Sequence, residues 1–181
     1  DREGITGIKY ISFMNIRVAH EKKGCAEKIL PFLKDGESIY NTLLVSKPGA
    51  GKTTCLRDCI RSLSNGKEGW EGMKICVVDE RSEIAACHLG IPQNDMGIRT
   101  DVLSGCGKSE GMMLMLRSMS PQIIAVDELG GKKDFQAVEQ AACSGVRILG
   151  TVHADTVEEL WEKPYLKKWM KRGIFERFIL I

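Results

Sequence analysis

The stretch Ser46-Lys47-Pro48-Gly49-Ala50-Gly51-Lys52-Thr53-Thr54 restricts what this chain can become more than any other. It follows a short apolar run at 42–45 and leads directly into 53–63, where Leu56, Ile60 and Leu63 recur at spacings of four and three. A strand-sized run, a glycine-bearing turn and an amphipathic helix in that order predict a β-loop-α unit. The loop suits one ligand chemistry. Backbone N–H groups turned inward around a phosphate need residues that tolerate unusual dihedrals, and Gly49 and Gly51 supply them. The helix N-terminus below adds partial positive charge. In the candidate cradle Pro48, Gly49, Ala50, Gly51, Lys52, Thr53 and Thr54, Lys52 is expected to reach the β- and γ-phosphates of a nucleotide and the Thr53 hydroxyl to ligate Mg²⁺. Thr54 is expected near the α-phosphate. Ser46 stands where such a loop usually carries Gly, a substitution that costs little if its φ stays negative.

With 181 residues the chain suits one domain, and 43% hydrophobic with 28% charged residues describes a folded protein, not a disordered one. No apolar run approaches the ~18–20 residues that cross a bilayer, and no signal-peptide pattern opens the chain. A net charge of +2 is too even for a dedicated nucleic-acid binder. The seven cysteines form no CxxC and lie far from the three histidines, so neither a zinc site nor a disulfide framework is expected. Most are read as small buried apolar residues in a reducing compartment. The chain opens at Asp1 without Met and stops inside the apolar run 178–181, so it reads as a piece of a longer protein. Residues 1–38 are expected to be the tail of a truncated N-terminal domain and its linker, and 39–181 the main domain.

Four runs read as strands covered on both faces: 42–45, 74–78, 123–126 and 146–152. Helices are predicted at 53–63, 109–119 and 134–142, stopped respectively by Asn65 and Gly66, by Pro121 and by Gly145, with a last strand at 176–181. The alternation is that of an α/β fold with a central, mostly parallel sheet flanked by helices. Residues 8–18 suggest a ribbon or two short strands, and 22–33 a helix. Met112, Met113, Met115 and Met119 fall at core-packing spacings. Residues 163–177 carry six bases against Glu176 alone, either as a solvated helix face or as a contact for anionic lipid or a partner.

Two apolar strands end in Asp-Glu: Asp79-Glu80 and Asp127-Glu128. Side chains at the carboxyl ends of parallel strands line the ligand crevice, so both pairs are expected to face the nucleotide. Asp127 is assigned to the metal and Glu128 to the attacking water. That order assumes an extra strand between the phosphate-loop strand and the 123–127 strand. Asp79, Glu80 and Glu83 then form an auxiliary acidic cluster, with Glu80 a candidate catalytic residue; a helix N-terminal acid is the competing reading. The 146–152 strand ends at His153, which in the expected order lies beside the γ-phosphate. Asp127-Glu128-Leu129-Gly130 fits the DxxG pattern of GTPases, yet no Asn-Lys-x-Asp motif follows, so guanine specificity has no support.

In order, the phosphate loop, the acidic cluster, Leu116-Arg117-Ser118-Met119-Ser120-Pro121 leading into Asp127-Glu128, and Thr151-Val152-His153-Ala154 resemble the phosphate loop (Walker A), Asp box, Walker B and His box of the type II/IV secretion ATPases. Val78-Asp79-Glu80-Arg81-Ser82-Glu83-Ile84, Pro92-Gln93-Asn94-Asp95, Arg99-Thr100-Asp101-Val102-Leu103 and Ser118-Met119-Ser120-Pro121 resemble the stage III sporulation protein AA family. The resemblance spans nearly the whole chain. It implies a RecA-like, additional-strand P-loop NTPase fold and a cytosolic, mother-cell ATPase. Such an ATPase would dock on membrane proteins of the sporulation channel and form a homo-hexamer with nucleotide at its subunit interfaces. Arg81, Arg99 and Arg117 become candidates for phosphate contacts, with surface ion pairs as the alternative. Two rivals stand beside the Mg-ATP motor: a nucleotide-gated assembly module with little turnover, and a RecA-like motor on nucleic acid, for which only the basic 163–177 segment argues.

Overall fold

The computed structural model describes residue 7 and residues 9–16, 21–67 and 69–181. A two-residue hairpin, β1 (Lys34–Asp35) and β2 (Ser38–Ile39), follows the one-turn helix α1 (Leu30–Leu33). Then come β3 (Thr42–Ser46), α2 (Lys52–Asn65), β4 (Ile75–Asp79), β5 (Thr100–Ser104), α3 (Lys108–Ser118), β6 (Ile123–Val126), α4 (Lys132–Cys143) and β7 (Arg147–His153). The chain closes with a 3₁₀ turn (Glu158–Trp161), α5 (Pro164–Lys171) and β8 (Arg177–Leu180). Strands β3 to β8 form one sheet in the order β5-β4-β6-β7-β3-β8, every neighbouring pair parallel. The expected extra strand is β7, which separates the phosphate-loop strand β3 from β6.

The period-2 alternation of strand side chains divides the core into two layers. Leu43, Val45, Cys76, Val78, Ile124, Val126, Ile148 and Val152 pack with Met112, Met115, Phe135, Val138 and Trp169 from α3, α4 and α5. Their neighbours Leu44, Ile75, Val77, Ile123, Ala125 and Leu149 pack with Leu56, Cys59, Ile60 and Leu63 of α2 and with Ala26, Leu30 and Leu33. Strands sandwiched this way read as unbroken apolar runs, and the three-layer arrangement follows.

Several expectations change. The helix foreseen over 22–33 is turns up to Ile29 and helix only at Leu30–Leu33. Gly24 takes φ 85° there, and Ile29 N–H bonds the Ala26 carbonyl three residues back, a turn pattern and not an α-helical one. The ribbon foreseen over 8–18 is absent from residues 9–16, while Ile8, Arg17 and Val18 lie outside the described residues. β5, at a sheet edge and only partly buried, was not foreseen as a strand. Of the cysteines, Cys55, Cys59 and Cys76 are buried, Cys25, Cys87 and Cys106 half-buried and Cys143 exposed, so fewer than most belong to the core. Met112 and Met115 are buried and Met113 and Met119 pack against them, as their spacing predicted.

Candidate functional site

Alternation decides which strand ends meet. In β3, β4, β6 and β7 the residues facing α2 are Leu44, Ile75, Val77, Ile123, Ala125 and Leu149. Counting on by twos puts Ser46, Asp79, Asp127, Thr151 and His153 on that same face, at the carboxyl ends of the strands, where α2 begins. The phosphate loop between β3 and α2 has Gly49 at φ 79° and Gly51 at φ 101°, conformations that favour glycine.

Lys52 is 5% exposed. Its three Nζ protons are shared among four acceptors, the carbonyls of Ser46 and Lys47 and His153 Nδ1, each at 2.9 Å, and Ser46 Oγ at 3.2 Å. An ammonium only donates, so Nδ1 accepts, and the imidazole proton sits on Nε2, which donates to Glu128 Oε1 at 3.1 Å. Burial pushes the Lys52 ammonium down, opposed by the charges of Asp127 and Glu128. The hydrogen bond from His153 holds the Glu128 carboxyl below its usual range, helped by Arg81, whose Nη1 is 3.1 Å from Oε2.

Thr53 Oγ1 donates to Asp127 Oδ2 at 2.7 Å. Two hard oxygens from the phosphate-loop helix and from the end of β6 therefore lie side by side, a donor pair that suits Mg²⁺. The other Asp127 oxygen accepts from the Thr151 hydroxyl and from Glu128 N–H at 3.0 Å. Glu128 itself takes φ 52°, unusual for a residue with a side chain. Lys108 Nζ donates to its carbonyl at 2.8 Å.

The two residues of the first acidic pair divide their roles. Asp79 is buried and accepts backbone N–H groups of Glu83 (2.9 Å), Ile84 (3.1 Å) and Ala85 (2.8 Å), so it pins the turn after β4. Buried Arg57 of α2 clasps the same turn through the carbonyls of Glu83 and Ile84. Glu80, free of such backbone bonds among the described residues, lines a shallow cleft with Asp79, Arg81, Lys108, Asp127 and Glu128, and lies 3.5 Å from Lys108. Of the three arginines singled out, only Arg81 is at this cleft. Arg99 binds the Ser64 carbonyl near the far end of α2, and Arg117 is exposed in the last turn of α3.

The family described as "Sporulation stage III, protein AA" is matched over residues 1–181. Stage III sporulation protein AA of Bacillus subtilis (strain 168) is 43% identical over 176 residues, which cover 97% of this chain and 57% of that protein. The chain belongs to the sporulation stage III protein AA family. It spans little more than half the length of that relative. Among solved structures, the ATPase DotB of Legionella pneumophila superposes with a TM-score of 0.59 at 19% identity, over 80% of this chain and 39% of that one. The pilus retraction motor PilT with bound ADP gives 0.56 at 19% identity, over 80% and 40%. This family member thus has the RecA-like fold of the secretion ATPases, as its motif order implied.

Sequence reasoning gave no role of their own to Lys108 and Thr151 in the site, or to Arg57 in holding the turn after β4. Thr151 was within reach, because it sits two residues before His153 and so on the same strand face. Lys108 and Arg57 carried no local signal; both matter through partners distant in sequence.

Proposed function

We propose that the domain formed by residues 39–181 binds Mg-ATP and hydrolyses it, and that in the full-length protein it works as an oligomeric motor, a homo-hexamer, of the sporulation channel apparatus between mother cell and forespore. Residues 1–38 are on this reading the tail of an N-terminal domain and its linker, the linker packing Ala26, Leu30 and Leu33 against α2. The observation that carries it is the convergence of Lys52, Thr53, Asp127, Glu128 and His153 at the carboxyl edge of the sheet, where α2 begins. The family relationship supports the sporulation role, and the names of the structural neighbours support the choice of ATP.

The residues fit the metal: Thr53 Oγ1 and Asp127 Oδ2 are adjacent hard oxygens, and Mg²⁺ when bound there supplies charge neutralisation between phosphate oxygens. The backbone of Pro48 to Thr54 cradles the phosphates, and Lys52 exchanges its contacts with Ser46, Lys47 and His153 for phosphate oxygens. Glu128 orients the attacking water and His153 holds the Glu128 carboxylate towards the phosphate lysine. Glu80 serves as an auxiliary acid that orients Lys108. Docking to membrane proteins of the channel, from the cytoplasmic side of the mother cell, is the cellular counterpart of the same reading; no described helix is long and apolar enough to cross a membrane.

The test is phosphate release with nucleotide binding measured in parallel. Lys52→Ala is expected to lose both, and Glu128→Gln to keep binding while turnover falls by a factor on the order of 10² or more. Unchanged turnover in both variants refutes the assignment. Turnover that is negligible in the unmodified full-length protein but accompanied by ATP binding identifies it as a nucleotide-gated assembly module instead.

A further inference from the structure

We propose that Thr151 is a positioning residue that aims Asp127 and Glu128 together, so that one hydroxyl sets both the metal-side carboxylate and the water-side glutamate. The role rests on the Mg-ATP reading of the same site; the geometry does not.

Thr151 lies inside β7 and is fully buried. The turn after β6 is wrapped around it by three hydrogen bonds. The Thr151 carbonyl accepts Leu129 N–H at 2.9 Å, its Oγ1 accepts Glu128 N–H at 2.9 Å, and its O–H donates to Asp127 Oδ1. A threonine hydroxyl has one proton to give, and that proton is committed to Asp127. With Oδ1 engaged by Thr151 and by Glu128 N–H, the Asp127 oxygen left towards α2 is Oδ2, the one that Thr53 meets. The same hydroxyl fixes the Glu128 main chain in its positive-φ conformation, which nothing in the local sequence favours. Gly150, the preceding residue, leaves the room: a Cβ there would stand 2.6 Å from Leu129 Cδ1.

A threonine that merely filled space would be replaced by valine at little loss, since the two have nearly the same shape. Thr151→Val removes the hydroxyl, leaves Glu128 N–H only its longer bond to Asp127 Oδ1 and takes one of the holds off that carboxylate, whereas Thr151→Ser keeps the hydroxyl and loses a methyl group. Two measurements separate these roles. Amide hydrogen exchange of the nucleotide-free protein reads the clasp directly. The Glu128 amide is expected to exchange at least about tenfold faster in the valine variant and within about twofold of wild type in the serine variant. Steady-state ATP hydrolysis reads the consequence: kcat is expected to fall about thirtyfold or more in the valine variant, with KM within about threefold, and serine to restore kcat to within about threefold. Thr151→Ala is the second hydroxyl-free variant should valine fail to fold, with the same two expectations. Equal protection of the Glu128 amide with and without the hydroxyl overturns the clasp. Equal kcat losses for the serine and hydroxyl-free variants reduce Thr151 to packing. A wild-type protein that turns over no ATP refutes the hydrolysis reading of the site, while amide exchange still decides whether Thr151 holds the turn.

Discussion

Gly150→Ala tests, without any ligand, whether the turn that carries Glu128 is packed as tightly as the geometry says. Gly150 sits mid-strand in β7, paired with Leu43 of β3 on one side and Val126 of β6 on the other. An added Cβ meets Leu129 Cδ1 at 2.6 Å and Leu43 Cδ2 at 3.2 Å. Both leucines are buried, 3% and 1% exposed, so neither can swing into solvent to relieve the contact. Overpacking of this kind costs about 1–3 kcal/mol, against which the better strand propensity of alanine returns about 0.5–1 kcal/mol. A net loss of about 1–2 kcal/mol corresponds to a Tm lowered by about 2–8 °C in a domain of this size. The assay is thermal and urea unfolding of Gly150→Ala, Leu129→Ala and the double variant. Leu129→Ala alone leaves a cavity worth about 2–5 kcal/mol. In the double variant the new methyl group occupies part of that cavity, so the two single losses together overstate the measured one by about 1 kcal/mol or more. A Gly150→Ala protein as stable as wild type, or a strictly additive cycle, refutes the packing argument.

Asp58 ties residue 26 to α2: its Oδ2 accepts Ala26 N–H at 2.9 Å and its Oδ1 pairs with Arg61 at 2.7 Å. Burial pushes its carboxyl up, but the Ala26 N–H and Arg61 outweigh that and hold it below the usual range. The stabilisation is therefore present above the unfolded carboxylate value of about 4 and is lost as pH falls through the lower folded value. Asp58→Asn is expected to cost about 1–3 kcal/mol at pH 7 in urea unfolding, with the gap to wild type narrowing below about pH 4; a pH-independent gap contradicts the ion-pair account. Thiol alkylation of the native protein at pH 8, followed by mass spectrometry, should label exposed Cys143 first. Cys76, buried with its thiol pushed up to about 11, and Cys59, raised by its contact with Cys55 and by burial, should react only on unfolding. Labelling of Cys76 as fast as Cys143 would mean that β4 is not covered on both faces.

What the sequence revealed divides along the range of the forces involved. The phosphate loop is local: one strand, two glycines and one helix start lie within a few residues, so its elements were visible with only the helix ends shifted, Lys52–Asn65 for 53–63. The strands covered on both faces were visible because uninterrupted apolar runs leave little else for them to be. β5 was not, since an edge strand is covered on fewer sides and its run Thr100–Ser104 mixes polar with apolar residues. Residues 22–33 misled in the opposite direction, because their mixture of charged and apolar residues suggested a helix that Gly24 and the turn hydrogen bonds prevent. The roles of Asp79 and Glu80 were undecidable in sequence. Strand parity says only that they face opposite ways, and the three N–H groups that claim Asp79 come from a turn whose path no periodicity records.

The position of β7 also explains why this site needs His153 at all. Strands two places apart in a sheet are separated by about 9.5 Å, so side chains rooted on β3 and on β6 do not meet across the sheet. Lys52, at the end of the β3 loop, and Glu128, at the end of β6, are divided in just this way by β7. The gap is bridged by the last residue of the intervening strand, whose two ring nitrogens lie 2.9 Å from Lys52 and 3.1 Å from Glu128. Thr53 reaches Asp127 by another route, from the first turn of α2 passing over the strand ends. An inserted strand therefore opens a space between the phosphate lysine and the glutamate. The residue at its own end connects them, so the imidazole is the hydrogen-bonded link between Lys52 and the Glu128 side chain, beside the direct attraction of their charges.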